Sequence, residues 1–228
     1  MRFEDLNWMD VESYLKTDDR LMFVVGACEQ HGYLSLLTDI KIPLALADAA
    51  SARTNVPVAP PLNFGVSPYF TRYPGTISLR TQTFIAIIED LVRGAQAHGF
   101  RRLLFLNGHG GNHPATEVLS ELMNELPGLK VDWYSWWTAA SVKAVAAEAG
   151  LAPNHANWLE AFTFCRVAEL PSGVKPPTPS ARLLSADESR ALYGDGVFGG
   201  GPYSAPEAVM ERVFDAALSD ILARLRFD

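Results

Sequence analysis

Glu29 and His31 stand one residue apart just past an apolar run, and Asp39 follows after a short stretch of loop. In an extended chain, residues two apart share a face, so Glu29 and His31 can project the same way. Asp39 can cap the helix-like stretch that follows it or turn its carboxylate towards Glu29 and His31. One imidazole and two carboxylates suit a hard or borderline divalent ion such as Zn, Mn or Fe. His109 is a second candidate ligand, lying between Gly108 and Gly110 in the run Asn107-Gly108-His109-Gly110-Gly111-Asn112. The flanking glycines let the backbone come close to a ligand. Asn112 and the backbone amides of Gly110 and Gly111 open a helix-like segment, where they could hold a substrate oxygen or a developing oxyanion.

These residues need elements to carry them. Residues 21–25 and 101–106 are continuous apolar runs of the kind that form buried parallel strands. Both spill abruptly into the polar loops just described, and α/β enzymes place chemistry in loops beyond strand C-termini. Residues 56–59 read as a short strand broken by Pro60-Pro61, and 129–137 as a further strand. Helical patterning covers 8–16, 39–53, 81–98, 114–126, 139–149, 155–167 and 207–226. Phe84, Ile87, Ile88, Leu91 and Val92 keep a helical period, with Gly99 as the stop. Residues 63–76 form a long loop rich in Gly, Pro and Tyr, a length that often marks function. Residues 171–180 are a proline-rich connector, and 194–204 are glycine-rich and read as flexible. Alternating strands and helices give a three-layer α/β/α sandwich with a mostly parallel central sheet.

Composition narrows the classes. With 228 residues, 48% of them hydrophobic, the chain can bury a sizeable core as one domain over residues 1–228. A net charge of −7 without any Lys/Arg cluster argues against nucleic-acid or anionic-membrane partners. The N-terminal segment has no signal-peptide pattern, and no apolar stretch reaches the length of a membrane span. Cys28 and Cys165 form neither a C-x-x-C pair nor a disulfide framework, and Cys28 reads as a packed structural cysteine. A soluble cytoplasmic protein is expected. Trp133, Tyr134, Trp136 and Trp137 could stack on a flat substrate or pack in the core.

Glu29-Gln30-His31-Gly32 with Thr38-Asp39 resembles the first signature of the creatininase (creatinine amidohydrolase) family. Asn107 to Asn112 resembles that family's second motif, Tyr73-Pro74-Gly75-Thr76 its Pro-Gly-Thr turn, and His155-Ala156 with Glu160 its third polar cluster. The resemblance runs over residues 21–208. It implies a two-metal hydrolase in which Asp39 bridges two Zn, Mn or Fe ions. Glu29 and His109 would complete one ion's ligands, and His31 and Glu160 the other's. Glu160 enters because family members with Gly-Gly after the second-motif histidine draw a carboxylate from this later segment. His155, a non-ligand histidine beside the ions, would transfer protons. A water between the ions would attack an amide carbon, so hydrolysis of a C–N bond in a cyclic amide, a formamide or a peptide-like small molecule is expected. The resemblance also implies a homo-oligomer, a hexamer in the family.

The chain departs from the family pattern in two places. After Gly32 it reads Tyr33-Leu34-Ser35-Leu36-Leu37, one residue shorter and without the family's second histidine. Ser67 is followed three residues on by Phe70, where the family tends to carry a histidine. Both changes point to a substrate other than creatinine. They leave two alternatives: the same metals acting on a C–C or lactone bond of a cyclic keto compound, or a non-catalytic binding protein with a degraded centre.

Overall fold

A computed structural model describes residues 1–180 and 182–228. Helix α1 (Trp8–Tyr14) starts at Asn7, whose side chain caps the amides of Met9 and Asp10. Strand β1 (Arg20–Val25) follows, then α2 (Thr38–Thr54), α3 (Thr81–His98), β2 (Arg102–Asn107) and α4 (Ala115–Glu125). Next come β3 (Lys130–Ser135), α5 (Ala140–Glu148), the two-residue strand β4 (Val174–Lys175) and α6 (Ala186–Tyr193). The two-residue β5 (Gly201–Pro202) and the terminal helix α7 (Glu207–Arg224) complete the chain.

The main sheet runs β1-β2-β3, every neighbour parallel. Its register pairs Val25 with Asn107 and Asn107 with Ser135, so the three strands end level. The loops that follow them therefore leave one edge together. Alternation along the strands sends side chains to opposite faces. Met22, Val24, Leu104 and Leu106 join a core under α2, α5 and α7. Leu21, Phe23, Val25, Leu103 and Phe105 join a second core under α3 and α4. Both faces of the sheet are thus covered, which explains why β1 and β2 read as unbroken apolar runs, and the architecture is the expected α/β/α sandwich.

Four local expectations change. Residues 56–59 form no strand: Val58 makes single parallel bridges to Met22 and Arg2, because Pro57, Pro60 and Pro61 have no N–H to donate. The 129–137 segment pairs only over Lys130–Ser135, and Trp136–Thr138 turn as a 3-10 helix. Residues 155–167 are not a helix but two 3-10 turns, Trp158–Glu160 and Thr163–Cys165. There Ala156 takes a positive φ of 57°, the Asn157 side chain caps Leu159, and Glu160 accepts the Ala156 N–H. Such side-chain bonds compete with helical ones. The glycine-rich stretch 194–204 is tied down, since β5 pairs antiparallel with β4 and Lys175 bonds Asp195.

Candidate metal centre

The placement of Asp39 begins with a proline. Pro43 lies inside α2 without an N–H, so the Asp39 carbonyl loses its helical donor. That carbonyl is packed against the glycines that end β1 and begin the loop after β2. A Cβ at Gly26 would sit 2.3 Å from the Asp39 oxygen, and one at Gly108 would sit 1.8 Å from it. Only glycine permits this approach, and it wedges the first turn of α2 between the two strand-exit loops. Glu29 and His31 come from the first loop, His109 from the second, and Glu160 from the turn Trp158–Glu160.

All five side chains are buried, with Glu29 and His31 each 1% exposed and Asp39 3%. Asp39 divides its carboxylate: Oδ1 lies 2.9 Å from His31 Nε2, and Oδ2 lies 2.9 Å from His109 Nδ1. Glu160 Oε1 stands 3.8 Å from His31 Nε2, and Glu29 Oε2 stands 3.7 Å from His109 Nε2. Two triads result, Glu29/Asp39/His109 and His31/Asp39/Glu160, each offering ligand atoms within 4.8 Å of one another. A third such group is Glu29/His31/His155.

The donor set fits divalent cations. Glu29 Oε2, His31 Nε2 and Asp39 Oδ2 are buried without a hydrogen-bond partner, an expensive arrangement unless a cation faces them. Among the described residues no Lys or Arg pairs with Glu29, Asp39 or Glu160. The outward ring nitrogens are spoken for: His31 Nδ1 donates to the Glu29 carbonyl at 3.1 Å, and His109 Nε2 to the Val66 carbonyl at 2.9 Å. Such bonds aim the inward nitrogen of each ring at the centre, where it is bare whenever the ring is neutral.

Without cations these groups perturb one another strongly. Burial pushes the Glu29 carboxyl up to about 7. Burial would lower His109, but Glu29 and Asp39 outweigh it and push the imidazole up to about 9. His31 is raised in the same way, the pull of Asp39 and Glu160 overcoming burial. Asp39 moves down, because His31 and His109 outweigh its own burial.

A cavity of about 500 Å³ opens onto the centre, with Glu29, Asp39, His109 and Glu160 among the residues lining it. His155 is in its wall, clasped between Phe70 and Phe198 at ring distances of 5.1 and 5.0 Å. Burial, then the neighbouring His31, drive its pKa well down, so the ring is neutral. Phe198 belongs to the 194–204 stretch, which thus forms part of the cavity wall.

Creatininase, described as creatinine amidohydrolase, is the family whose pattern matches residues 4–225. The chain belongs to the creatininase family. A creatinine amidohydrolase from Pseudomonas putida is 34% identical over 115 residues, 47% of this chain and 44% of that one. A mycofactocin precursor peptide peptidase from Mycobacterium tuberculosis (strain CDC 1551 / Oshkosh) is 36% identical over 107 residues, 42% of each chain. The matches span less than half the length of either relative. A mutant creatininase of Zn–Zn type superposes with a TM-score of 0.83 at 23% identity, covering 99% of this chain and 96% of that one. This last likeness speaks for the fold.

Within this creatininase-family chain, the three residues expected to hold a substrate oxygen are placed differently. Gly110 does line the cavity, but Gly111 and Asn112 are not among its lining residues. Gly111 is a packing position, since a Cβ there would sit 1.9 Å from the Val66 oxygen and 2.6 Å from His109 Nε2. The Asn112 amide is consumed in holding loops together: it accepts from Val66 N and donates to the Gly26 and Asn107 oxygens. Gly110–Asn112 is one 3-10 turn set apart from α4. Ser67, at the departure from the family pattern, bonds the His109 ring at 3.1 Å. Sequence reading also passed over Gln30, Tyr69 and Phe198. Gln30 carries the only one of these signals visible in sequence, lying between two candidate ligands. Trp136 is buried in the core while Trp137 lines the cavity, and Cys28 is half-buried, its thiol on the Gly75 carbonyl.

Proposed function

We propose that this chain is a metal-dependent hydrolase that cleaves a C–N bond in a small amide, a cyclic amide, formamide or peptide-like molecule. The observation that carries the reading is Asp39, one carboxylate shared by two ligand triads at the floor of a cavity. Glu29, Asp39 and His109 would hold one Zn, Mn or Fe ion, and His31, Asp39 and Glu160 a second. Ions bound there polarise a carbonyl and acidify water, which is the chemistry amide hydrolysis requires. His155 meets the substrate from the cavity wall. Phe70 and Phe198 hold its ring and keep bulk water from that side. Phe70 also shapes the cavity for a substrate other than creatinine. The convergence of unpartnered ligand atoms supports an intact centre over a degraded one.

The same reading takes the chain as one domain, cytoplasmic and homo-oligomeric; among the described residues no helix is long and apolar enough to cross a membrane. Metal analysis of protein purified without chelator, followed by a panel of lactams, formamides, short peptides and cyclic keto compounds with Mn, Zn and Fe, tests it. Two ions per chain and turnover of an amide are expected. Fewer than one ion per chain, or turnover confined to the keto compounds, would overturn it.

A further inference from the structure

Three histidines face the same centre, and the partner of each outward nitrogen differs in kind. For His31 and His109 that partner is a backbone carbonyl, an acceptor. For His155 it is the side-chain amide of Gln30, whose Nε2 lies 3.0 Å from His155 Nε2. Which end of that amide faces the ring is settled by two backbone groups. The Gln30 nitrogen also donates to the Gly196 carbonyl at 3.0 Å, and the Gln30 oxygen accepts the Gly32 N–H at 3.1 Å. Turning the amide over would set carbonyl against carbonyl and N–H against NH₂. Gln30 therefore presents a donor to His155, and His155 Nε2 must accept.

A neutral imidazole carries one proton. With Nε2 accepting, that proton sits on Nδ1, the atom that looks inward, 3.7 Å from Glu29 Oε1. We infer that Gln30 is a positioning residue that fixes His155 as the Nδ1–H tautomer, so that His155 faces the centre as a hydrogen-bond donor while His31 and His109 face it with bare nitrogens. This rests on the proposed function for the ligand roles of His31 and His109, but the tautomer of His155 follows from Gln30 alone.

Two consequences follow. The Glu29/His31/His155 group is denied to a metal ion, because a protonated Nδ1 has no lone pair to give. Nor is His155 a resting general base towards the substrate. It offers Nδ1–H to an acceptor atom there, the carbonyl oxygen or the departing nitrogen, much as a neutral imidazole can polarise a carbonyl elsewhere. Gly196 joins the device to the cavity wall. A Cβ at Gly196 would fall 1.7 Å from the Gln30 oxygen, so the loop carrying Phe198 and the amide that orients His155 are packed as one unit.

The test is the two-bond ring correlation spectrum of ¹⁵N-histidine-labelled protein, recorded with and without zinc, with His155 identified by its disappearance in His155→Gln. A protonated Nδ1 and a bare Nε2 on His155 are expected in both samples. A proton on Nε2, protons on both nitrogens, or a zinc-bound nitrogen on His155 would overturn the inference. Gln30→Met should mix the two tautomers and lower kcat by about a hundredfold, the scale for losing one aimed donor, with KM little changed. Gly196→Ala should disturb the same ring signal from the other side of the amide, which serves if Gln30→Met does not fold. A single unmixed Nδ1–H tautomer in both variants would also refute the role of Gln30. The wild-type spectrum does not depend on turnover, so a chain that cleaves no amide sinks the proposed function and leaves this inference to be judged on the ring pattern.

Discussion

Asp39 Oδ2 stands 2.9 Å from His109 Nδ1, yet that oxygen has no hydrogen-bond partner. His109 Nε2 donates to the Val66 carbonyl, so a hydrogen bond across this gap would need a second ring proton, on Nδ1. In the bare protein the contact is favourable only when the ring carries that second proton, so Glu29 and Asp39 raise the His109 pKa; a divalent cation between the two atoms would take the proton's place.

The shared carboxylate makes the two sites separable by mutation. His109→Ala should leave one ion per chain, because the His31/Asp39/Glu160 triad is intact. Asp39→Ala should leave none, as both triads lose a member. Metal content by elemental analysis decides it, and two ions retained in His109→Ala would refute the ligand assignment.

His155→Ala should behave differently from either. It should keep both ions, lose turnover by about 10²–10³-fold, and change KM little, the usual scale for a positioned donor. An unaltered rate would remove His155 from the mechanism.

Metal-free protein should lose stability as pH rises. His109 is raised to about 9 from 6.5, His31 is raised as well, and Glu29 reaches about 7 from 4.5. A group whose folded pKa is raised contributes stability that is complete below the unfolded value and lost as pH climbs through the folded one. Across pH 6.5 to 9 the folded, metal-free chain therefore holds protons that the unfolded chain has released. Divalent ions compete with those same protons, so their binding strengthens over this window. The difference in Tm between manganese-loaded and chelated protein should widen as pH rises, with about 2.7 kcal/mol available at a hundredfold excess over Kd. A difference that stays flat or narrows would contradict the centre described here.

Gly111→Ala should damage the centre without touching a ligand. Its Cβ has no room between the Val66 oxygen and His109 Nε2. Relief requires moving His109 or the 63–76 loop, at a cost of about 1–3 kcal/mol for overpacking. Chemical denaturation should show that loss together with weakened metal binding. Wild-type stability and metal content would show that the loop yields freely.

What was legible in the sequence was whatever depends on short-range pattern. The apolar runs over 21–25 and 101–106 announced buried parallel strands because both faces of each are covered, and their abrupt polar endings marked the candidate site. The Glu29/His31 spacing pointed to metals, and the first two motifs carry the resemblance to the family. Less was visible where side chains compete with the backbone. The 155–167 segment carries enough apolar residues to read as a helix, yet Asn157 and Glu160 bind nearby amides and hold it in turns.

The sequence by itself determined the sandwich and placed the candidate acidic and imidazole groups beyond strand ends, because hydrophobic periodicity and loop composition are local properties. Only the tertiary structure decided that Asp39 sits between two triads, that the Asn112 side chain fastens loops, and that Gln30 turns its amide towards His155. Those outcomes depend on contacts such as Gln30 with Gly196, set 166 residues apart, and on glycines whose missing side chains matter only once the loops are packed together.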